Sequence, residues 1–260
     1  MSREPPPYPT GRNMLAGKTV VVTAAAGTGI GFSVAKRAAE EGAIVLISDL
    51  HERRLAEASA RLAAETGRRP ASHVCDVTKE DQVQALRDAA IGALGHVDVL
   101  VNNAGLGGTA DIISIADADW SRIIDLSLTS VMRMCRAFLP LMYQRKDGAV
   151  VNNASVLGWR AQRGQAAYAA AKAGVMALTR CVALEAADYG VRVNAVAPSI
   201  AMHPFLAKVT TNDLLDTLTA REAFGRPAEV WEIANAMIFL ASDLSSYMTG
   251  EVLSISSQQA

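Results

Sequence analysis

Short apolar segments alternate with helix-forming segments along most of this chain, and this alternation constrains its fold more than any other feature. The strand candidates lie at residues 19–23, 44–48, 72–75, 97–102, 149–152, 191–196 and 251–255. Helical patterns separate them at residues 30–41, 52–66, 79–94, 117–145, 164–189 and 227–242. Strands that are apolar throughout are typical of a sheet buried on both faces. The sequence therefore predicts an α/β fold in which helices cover both sides of a parallel sheet.

The segments outside this alternation define the predicted domain boundaries. Residues 1–15 contain four prolines, which favour neither helix nor strand, so we predict a flexible N-terminal leader there. Residues 16–260 show no repeat, linker or second compositional block, and we predict one domain. Residues 199–225 follow a predicted strand at the edge where open α/β sheets bind ligands. We predict a substrate lid there, with an ordinary amphipathic excursion as the alternative.

Charge and composition exclude several functional classes. The 25 Lys and Arg residues balance 26 Asp and Glu residues, so no basic field indicates a nucleic-acid partner. Three scattered cysteines and four histidines lack metal-ligand spacing, which predicts no metal site. We find no signal-peptide core and no apolar run of membrane-spanning length. These observations predict a cytoplasmic protein that does not associate with membranes.

A loop of small residues follows the first predicted strand and leads into a helix. It reads TAAAGTGIG and ends at residue 31. Small residues let the backbone approach a pyrophosphate, whose charge is attracted by the positive end of the helix. A strand before and a helix after are the context that a dinucleotide-binding loop requires. The predicted cofactor contacts in this loop are Ala25, Gly27, Thr28, Gly29, Ile30 and Gly31.

The second predicted strand ends next to Asp49. A carboxylate at this place accepts the ribose hydroxyls of NAD and repels a 2′-phosphate, which favours NAD(H) over NADP(H). Arg53 and Arg54 lie a turn further on and could reach a phosphate, although a solvated helix face is the more ordinary interpretation. Asp76 and Val77, after the third strand, are expected to flank the adenine.

Tyr168 and Lys172 lie four residues apart in a helix-forming segment, and Ser155 lies thirteen residues before the tyrosine. Residues spaced by four share one face of a helix. A phenol titrates near ~10, and a neighbouring ammonium lowers its pKa. The serine hydroxyl could hold a substrate oxygen at the same point. The pattern predicts a proton-transfer site.

Together these motifs resemble the short-chain dehydrogenase/reductases over roughly residues 15–255. The resemblance rests on the glycine loop, the string NNAG at 102–105, Ser155, the pair Tyr168 and Lys172, and the turn at Pro198. It implies a Rossmann-type, doubly wound, seven-stranded parallel sheet in a single domain. It also implies a homodimer or homotetramer and reversible hydride transfer between a nicotinamide and a carbonyl/alcohol pair.

The same resemblance implies the roles of individual residues. Tyr168 is the expected general acid in reduction and base in oxidation. Lys172 is expected to lower the pKa of Tyr168 and to hold the nicotinamide ribose, while Ser155 orients the substrate oxygen. Asn103 and Ala104 are expected near the cofactor ribose, which Tyr168 and Lys172 also contact.

Three segments depart from the family pattern. Ala24 and Ala25 stand where the family has Thr-Gly, which is tolerable if the φ angle of Ala25 stays negative. Ser127 stands in place of a catalytic asparagine that anchors a relay water, and we predict a modified relay because a hydroxyl can also hold water. After Pro198, the backbone of Ala201 is expected to meet the carboxamide. His203 either replaces a threonine contact with the cofactor or faces the substrate.

The strings TAAAGTGIG, SDLHERR, NNASVLGWRAQ and PSIA resemble a subgroup of actinobacterial enzymes of steroid-ring breakdown. Members of that subgroup act on the hydroxyl or ketone of a bicyclic indane propionate or its CoA thioester. Trp159 could form a flat apolar wall of such a pocket and Arg160 could meet CoA phosphates, although simple packing and an ordinary surface charge are the alternatives. The full set of predicted substrate contacts is Trp159, Arg160, His203, Phe205 and Leu206.

Two other functions fit the same sequence. A 3-oxoacyl thioester reductase of fatty-acid metabolism shares the fold and the catalytic trio, but Asp49 argues against its usual NADPH. A non-catalytic dinucleotide-binding scaffold is the alternative from another class. The trio of Ser155, Tyr168 and Lys172 argues against a scaffold, and the unusual Ser127 is the feature that favours it.

Overall fold

A seven-stranded parallel sheet forms the centre of the molecule. The computed structural model describes residues 3–202 and 212–257. Its strands are β1 (Thr19–Thr23), β2 (Ile44–Asp49), β3 (Ala71–Val74), β4 (Val99–Asn102), β5 (Gly148–Asn153), β6 (Val191–Pro198), β7 (Ala201–Met202), β8 (Ala228–Glu229) and β9 (Val252–Ile255). The large sheet has the order β3-β2-β1-β4-β5-β6-β9, and every pairing in it is parallel. The predicted α/β fold with seven strands is confirmed.

The helices largely follow the predicted segments. They are α1 (Ile30–Glu40), α2 (Glu52–Thr66), α3 (Glu80–Leu94), α4 (Asp117–Ile124), α5 (Ser130–Arg145), α6 (Ala166–Ala187), α7 (Asn212–Ala220) and α8 (Val230–Ala241). The segment predicted as one helix over 117–145 is divided by a π-helical turn, Asp125–Thr129, between α4 and α5. One inserted residue displaces the apolar pattern by a single position, and periodicity over a long helical segment does not resolve so small a shift.

Alternate residues of each strand face opposite sides of the sheet, and each side has its own core. Val21, Leu46 and Leu100 belong to the apolar cluster that includes residues of α3, α5 and α6. Their neighbours Val20 and Val45 belong to the cluster with α1, α2 and α8. Both faces are therefore buried, which explains why the strands are apolar throughout rather than alternating with polar residues.

The strand order reverses beside β1, whose two neighbours are β2 and β4. Chain connections leave β1 and β4 in opposite directions at this point, so a crevice opens at the carboxyl ends of the strands. The glycine loop, Asp49, Asn103 and Ser155 all follow strands at this edge. The topology thus gathers predicted site residues that are more than a hundred positions apart in the sequence.

The described part of the N-terminal segment contains no helix or strand before residue 19, as predicted, but it lies against the body of the protein. Tyr8 donates a hydrogen bond to Glu40 at 2.6 Å and packs edge-on against Trp231. The fully buried Glu41 accepts the N–H groups of Arg12 and Met14 at 2.7 and 3.0 Å. These contacts show that prolines prevent regular structure but not docking. Its flexibility stays a prediction.

Helix α6 contradicts the expectation that no segment is long and apolar enough to span a membrane. It has 22 residues and a mean hydropathy of 1.2 in its most apolar window, so by length and composition alone it could cross a bilayer. It packs against β6 and the turn before it, and Ala171, Val175 and Ala186 are fully buried. A helix that covers a parallel sheet needs such an apolar face, and this burial accounts for its composition.

The segment predicted as a lid contains structure that the sequence did not reveal. Ala201 of β7 pairs with Ala228 of β8, and α7 lies between these strands in the chain. Two-residue strands are too short to produce a recognisable apolar pattern. Residues 203–211, with the predicted contacts His203, Phe205 and Leu206, lie outside the described residues. The role of the segment as a lid stays a prediction.

Candidate active site

The carboxyl edge of the sheet brings Ser155, Tyr168 and Lys172 together. Ser155 follows β5, and its hydroxyl accepts the Leu157 N–H at 3.2 Å, which caps a short 3-10 turn, Val156–Gly158. Tyr168 and Lys172 lie one turn apart in α6, with the Lys172 Nζ 5.5 Å from the centre of the tyrosine ring. The side chains of Tyr168 and Ser155 are hydrogen-bonded. The spacing thus identified three side chains that form one cluster, and their catalytic roles stay predictions.

A glycine sets the distance between the serine turn and α6. A Cβ atom on Gly158 would lie 2.6 Å from Met176 Cε and 3.1 Å from the backbone nitrogen of Ala173. A larger residue would require the Met176 side chain to move and the turn or the helix to shift by a few tenths of an ångström. Gly158 therefore allows close packing of the serine turn on α6.

Burial dominates the proton affinities of this cluster. It raises the pKa of Tyr168 to about 12, an effect that the hydrogen bond with Ser155 opposes. It lowers the pKa of Lys172 to about 8, because the ammonium loses its hydration. The sequence predicted that the lysine lowers the pKa of the tyrosine; in the chain by itself, loss of hydration is the largest influence and raises that pKa instead. Tyr168 is therefore a neutral proton donor at pH 7.

A chain of amide groups connects Lys172 to the glycine loop. Lys172 Nζ donates to the carbonyl oxygen of Asn153 at 2.6 Å, and Asn153 Nδ2 donates to Asn103 Oδ1 at 2.9 Å. Asn103 Nδ2 in turn lies 3.2 Å from the carbonyl oxygens of Thr23 and Ala24. Movement of the loop is thus coupled through direct contacts to the position of the lysine.

Ser127 is fully buried in the π-helical turn and binds the backbone of Leu106 twice. Its hydroxyl donates to the Leu106 carbonyl at 2.9 Å and accepts the Leu106 N–H at 3.0 Å. A Cβ on the neighbouring Gly105 would lie 3.1 Å from Lys172 Nζ, so this loop passes directly beside the lysine. A hydroxyl has one donor and two acceptor sites, so a single acceptor site remains for water. The relay role stays a prediction, and the observed contacts support the loop.

The strained backbone conformation of the glycine loop lies at Ala24, one residue before the position that the sequence indicated. Ala25, where a methyl group was the concern, does not have a positive φ, and it is fully buried in the core. The positive φ, +51°, falls on Ala24 instead. This left-handed conformation costs a residue with a Cβ about 1–2 kcal/mol. The pattern of small residues identified the loop but not the residue that turns the chain.

The loop and the start of α1 fit a dinucleotide pyrophosphate. A Cβ on Gly31 would lie 2.3 Å from the Ala24 carbonyl oxygen and 2.5 Å from Asn103 Nδ2, so only glycine allows this packing. Gly27 has a φ of +121° and open space where a Cβ would stand. Within the described chain, no acidic residue lies in the first turn of α1 and no side chain caps it at Gly29. The first N–H groups of α1 can therefore face an anion.

Asp49 ends β2 at the edge of this crevice. Its two carboxylate oxygens accept the N–H groups of Ala26 at 3.1 Å and of His51 at 3.0 Å. Burial is the largest influence on its pKa and raises it, while the Ala26 hydrogen bond and the charge of Arg54 act in the opposite direction. A carboxylate has about four acceptor sites, so capacity for ribose hydroxyls remains. The nearby Arg54 leaves NAD preference as a prediction.

The other predicted cofactor residues lie around the same crevice. Asn103 and Ala104 follow β4, and both of their N–H groups donate to Thr23 Oγ1 at 3.0 and 3.2 Å. The Asp76 carboxylate is bonded to the N–H and hydroxyl of the nearby Thr78. The remaining predicted contacts differ in exposure: Thr28 is exposed, Ile30 is half-buried, and Val77 and Ala201 are buried.

The predicted substrate contacts are only partly described. Trp159 ends the 3-10 turn after Ser155 and is 51% exposed, so it is available as a wall of a pocket open to solvent. Arg160 follows it and is partly exposed. These assignments remain predictions.

Sequence reasoning missed Asn153, Thr23 and Leu106 as members of the site. Asn153 gave a signal, since it is a second amide at the end of an apolar strand just before Ser155. Thr23 was part of the loop motif but was assigned no bond. Leu106 contributes only backbone atoms to Ser127, so its side chain could not have identified it.

Comparison with known proteins gives a consistent result. A family model described as enoyl-(acyl carrier protein) reductase matches residues 24–257. The chain is 60% identical over 249 residues to "(5R,7aS)-5-hydroxy-7a-methyl-1-oxo-2,3,5,6,7,7a-hexahydro-1H-indene-carboxyl-CoA reductase" of Mycobacterium tuberculosis, covering 95% of each chain. It is 36% identical to a 3-oxoacyl-[acyl-carrier-protein] reductase of Chlamydia trachomatis, covering 93% of this chain and 97% of the relative.

A solved structure supports the same relationship. The crystal structure of a short chain dehydrogenase from Mycobacterium smegmatis superposes with a TM-score of 0.88 at 53% sequence identity. The match covers 99% of both chains. The sheet and the site segments therefore fall within the shared fold.

Proposed function

Because this chain belongs to the short-chain dehydrogenase/reductase family of oxidoreductases, we propose that it transfers a hydride between NAD(H) and a bicyclic hexahydroindane propionate carried as a CoA thioester. The reacting group is a ring hydroxyl in one direction and a ketone in the other. The 60% identity to a reductase named for a hexahydroindene-carboxyl-CoA supports this substrate class. The observation that most directly supports hydride transfer is the cluster of Ser155, Tyr168 and Lys172 at the carboxyl edge of the sheet.

The proton-transfer step follows from the geometry of this cluster. In reduction, the hydroxyl groups of Ser155 and Tyr168 bind the substrate carbonyl oxygen, and Tyr168 donates its proton as the oxygen gains negative charge. The reduced nicotinamide supplies the hydride that the carbonyl carbon receives. Addition of one hydride and one proton converts the ketone into the alcohol, and Tyr168 is left as a phenolate that the adjacent Lys172 charge stabilises.

The direction of proton transfer depends on the protonation state of Tyr168. A pKa of about 12 keeps the phenol protonated and ready to donate. In oxidation the phenolate must instead accept the proton of the alcohol. The positive charge of Lys172 favours that form. Its bond to the carbonyl oxygen of Asn153, whose side chain is bonded to Asn103, holds it in place. The same residues thus serve both directions.

NAD(H) is the proposed cofactor because of Asp49. Its carboxylate stands at the end of β2, held by two backbone N–H groups. Oxygens fixed in this way accept ribose hydroxyls, whereas a 2′-phosphate would meet like charge. Asp76 and Val77 would flank the adenine, and the N-terminus of α1 would face the pyrophosphate.

The test is turnover of the bicyclic indane keto-propionyl-CoA, with NADH compared against NADPH. We expect turnover with NADH, a preference over NADPH, and a loss of at least ~10²–10⁴-fold in kcat for Tyr168→Phe, as is typical of a lost general acid. Tyr143→Phe, a partly buried tyrosine on α5 that stacks on Tyr189, is the matched control and should keep full activity.

Three results would contradict the proposal. Preference for acetoacetyl-CoA would assign the protein to acyl-chain metabolism, and preference for NADPH would remove the argument from Asp49. Failure to bind any nicotinamide would contradict the proposed hydride transfer itself.

A further inference from the structure

A cleft of about 470 Å³ lies beside the serine turn, outside the proton-transfer cluster. One wall is formed by residues 157 and 160–162, which follow Ser155. The other is formed by residues 218 and 220 at the end of α7 and by residues 221–223 after it. Its volume falls in the range of about 300–1,000 Å³ that is usual for small-molecule sites. Leu157 of this wall donates its N–H to the Ser155 hydroxyl, so one wall of the cleft is bonded directly to a residue of the cluster.

Glu222 is a buried carboxylate in the wall of this cleft, with only 4% of its surface exposed. Its Oε2 atom accepts two hydrogen bonds from Ser257, from the backbone N–H at 3.1 Å and from the hydroxyl at 2.8 Å. Its Oε1 atom is buried and has no hydrogen-bond partner among the described residues. Leaving a charged acceptor buried and unsatisfied is costly. A donor from a bound molecule would satisfy this oxygen.

The other groups of the cleft indicate which chemical groups such a molecule would have. Leu157 and Leu218 provide aliphatic surface, and the exposed Arg221 carries a positive charge at its edge. In the described chain, no carboxylate forms an ion pair with the Arg221 side chain. Guanidinium groups bind phosphate through paired hydrogen bonds. A matching ligand needs an N–H donor, an aliphatic linker and a phosphate.

We infer that this cleft binds the phosphopantetheine arm of a thioester substrate, with Glu222 accepting a pantetheine amide N–H and Arg221 binding phosphate. This inference rests on the proposed function for its thioester substrate. It assigns the substrate carrier to a place in the fold: the acyl part occupies the Ser155 cluster, and the arm runs between the serine turn and the segment after α7. The shared arm occurs both in coenzyme A and on an acyl carrier protein.

The experiment compares three thioesters of the same bicyclic acid: methyl, pantetheine and CoA. Glu222→Gln presents an amide in place of the free oxygen, and we expect kcat/KM to fall about tenfold or more for the pantetheine and CoA thioesters but not for the methyl thioester. Arg221→Gln should lower kcat/KM for the CoA thioester alone. Arg69→Gln removes the same charge from an exposed loop just before β3, at the amino-terminal edge of the sheet, and should change none of the three.

Binding measurements separate this inference from the proposed function. Calorimetric titration of acetyl-CoA into the NAD-saturated enzyme needs no turnover, and Arg221→Gln should raise the Kd at least fivefold even if the bicyclic ketone is not a substrate. Tighter binding of holo acyl carrier protein than of acetyl-CoA would assign the arm to a carrier protein. Equal loss with all three thioesters, or absence of acetyl-CoA and carrier-protein binding to the wild type, overturns the cleft assignment. Thermal unfolding of Glu222→Gln checks its fold, and the exposed Arg221→Gln carries the test if that variant unfolds.

Discussion

The place of Lys172 beside Tyr168 was predicted from the sequence, but its surroundings are unusual for a lysine. Only 2% of it is exposed, and its ammonium donates to the Asn153 carbonyl oxygen rather than to a carboxylate of the described chain. A backbone carbonyl carries only a partial charge, so it does not replace the lost hydration, and the pKa falls to about 8. The lysine is thus close to losing its charge at neutral pH, and the protein has a stability cost that depends on pH.

The cost of burying the Lys172 charge makes the free energy of unfolding depend on pH. Below pH 8 Lys172 is charged in both the folded and the unfolded chain, and the burial cost is complete. Between pH 8 and 10.5 the folded lysine is neutral while the unfolded one keeps its proton, so the free energy of unfolding rises with pH. A pKa lowered from 10.5 to about 8 corresponds to roughly 3 kcal/mol.

Urea unfolding of wild type and Lys172→Met across pH 7 to 10 measures this difference. We expect the wild type to gain stability relative to the variant as the pH rises, because methionine has no charge to lose. Lys79→Met, at an exposed position before α3, serves as the control and should show no comparable trend. A difference that stays constant over the pH range would contradict the assignment.

Ala24 and Ala25 show where reasoning by residue type stops. The sequence indicated that a methyl group in the glycine loop needed a negative φ, and Ala25 meets that condition. The left-handed residue is Ala24, which no local pattern singled out because alanine carries no preference for a positive φ. The surrounding contacts, including the bond from Asn103 to the Ala24 carbonyl, impose this conformation.

At the scale of elements, the π-helical turn between α4 and α5 is the feature with the clearest consequence. One extra residue per turn directs Ser127 toward Leu106, where a regular helix would place it differently. A serine is shorter than the asparagine of the family pattern, and in this position it still reaches both backbone groups of the loop beside Lys172. Such bulges are frequent at functional sites.

We predict that Ser127→Ala lowers both stability and activity. The variant leaves the N–H and carbonyl groups of Leu106 without their partner, which costs about 1–3 kcal/mol in the free energy of unfolding. The loop beside Lys172 should loosen, so that kcat falls. Urea unfolding and steady-state kinetics measure the two effects.

The matched control is Ser130→Ala in the next turn. Ser130 is also buried, but its hydroxyl donates to the carbonyl of Leu126 in the preceding π-helical turn, at 2.6 Å. Its loss should cost less and leave kcat unchanged. If Ser127→Ala lowered kcat with no loss of stability, the water-relay role would explain it better than support of the loop.

At the scale of the whole molecule, α6 serves the core on one face and presents apolar residues on another. Ala170, Ala177 and Leu184 are exposed and recur every seven residues, and Leu184 is 78% exposed. A repeat of seven keeps one stripe of a helix facing outward over several turns. An exposed apolar stripe of this kind is typical of a contact between subunits.

We therefore predict a homo-oligomer, dimer or tetramer, that uses this stripe of α6. Leu184→Glu places a charge at the centre of a two-fold contact, where each subunit would bring the same charge, and should weaken the assembly. Light scattering coupled to gel filtration measures the mass. Ile91→Glu, on the exposed side of α3, should leave the mass unchanged. A monomeric wild type, or an unchanged mass for Leu184→Glu, would contradict the prediction.

The sequence by itself determined the alternation of strands and helices, the glycine loop and the pairing of Tyr168 with Lys172, because each depends on spacing within one element or its immediate neighbours. The tertiary structure decided the rest. It placed Asn153 and Leu106 in the site, left Glu222 Oε1 without a donor from residues 3–202 and 212–257, and raised rather than lowered the pKa of Tyr168. Hydration and long-range hydrogen bonds depend on which distant segments meet, and local patterns do not encode that.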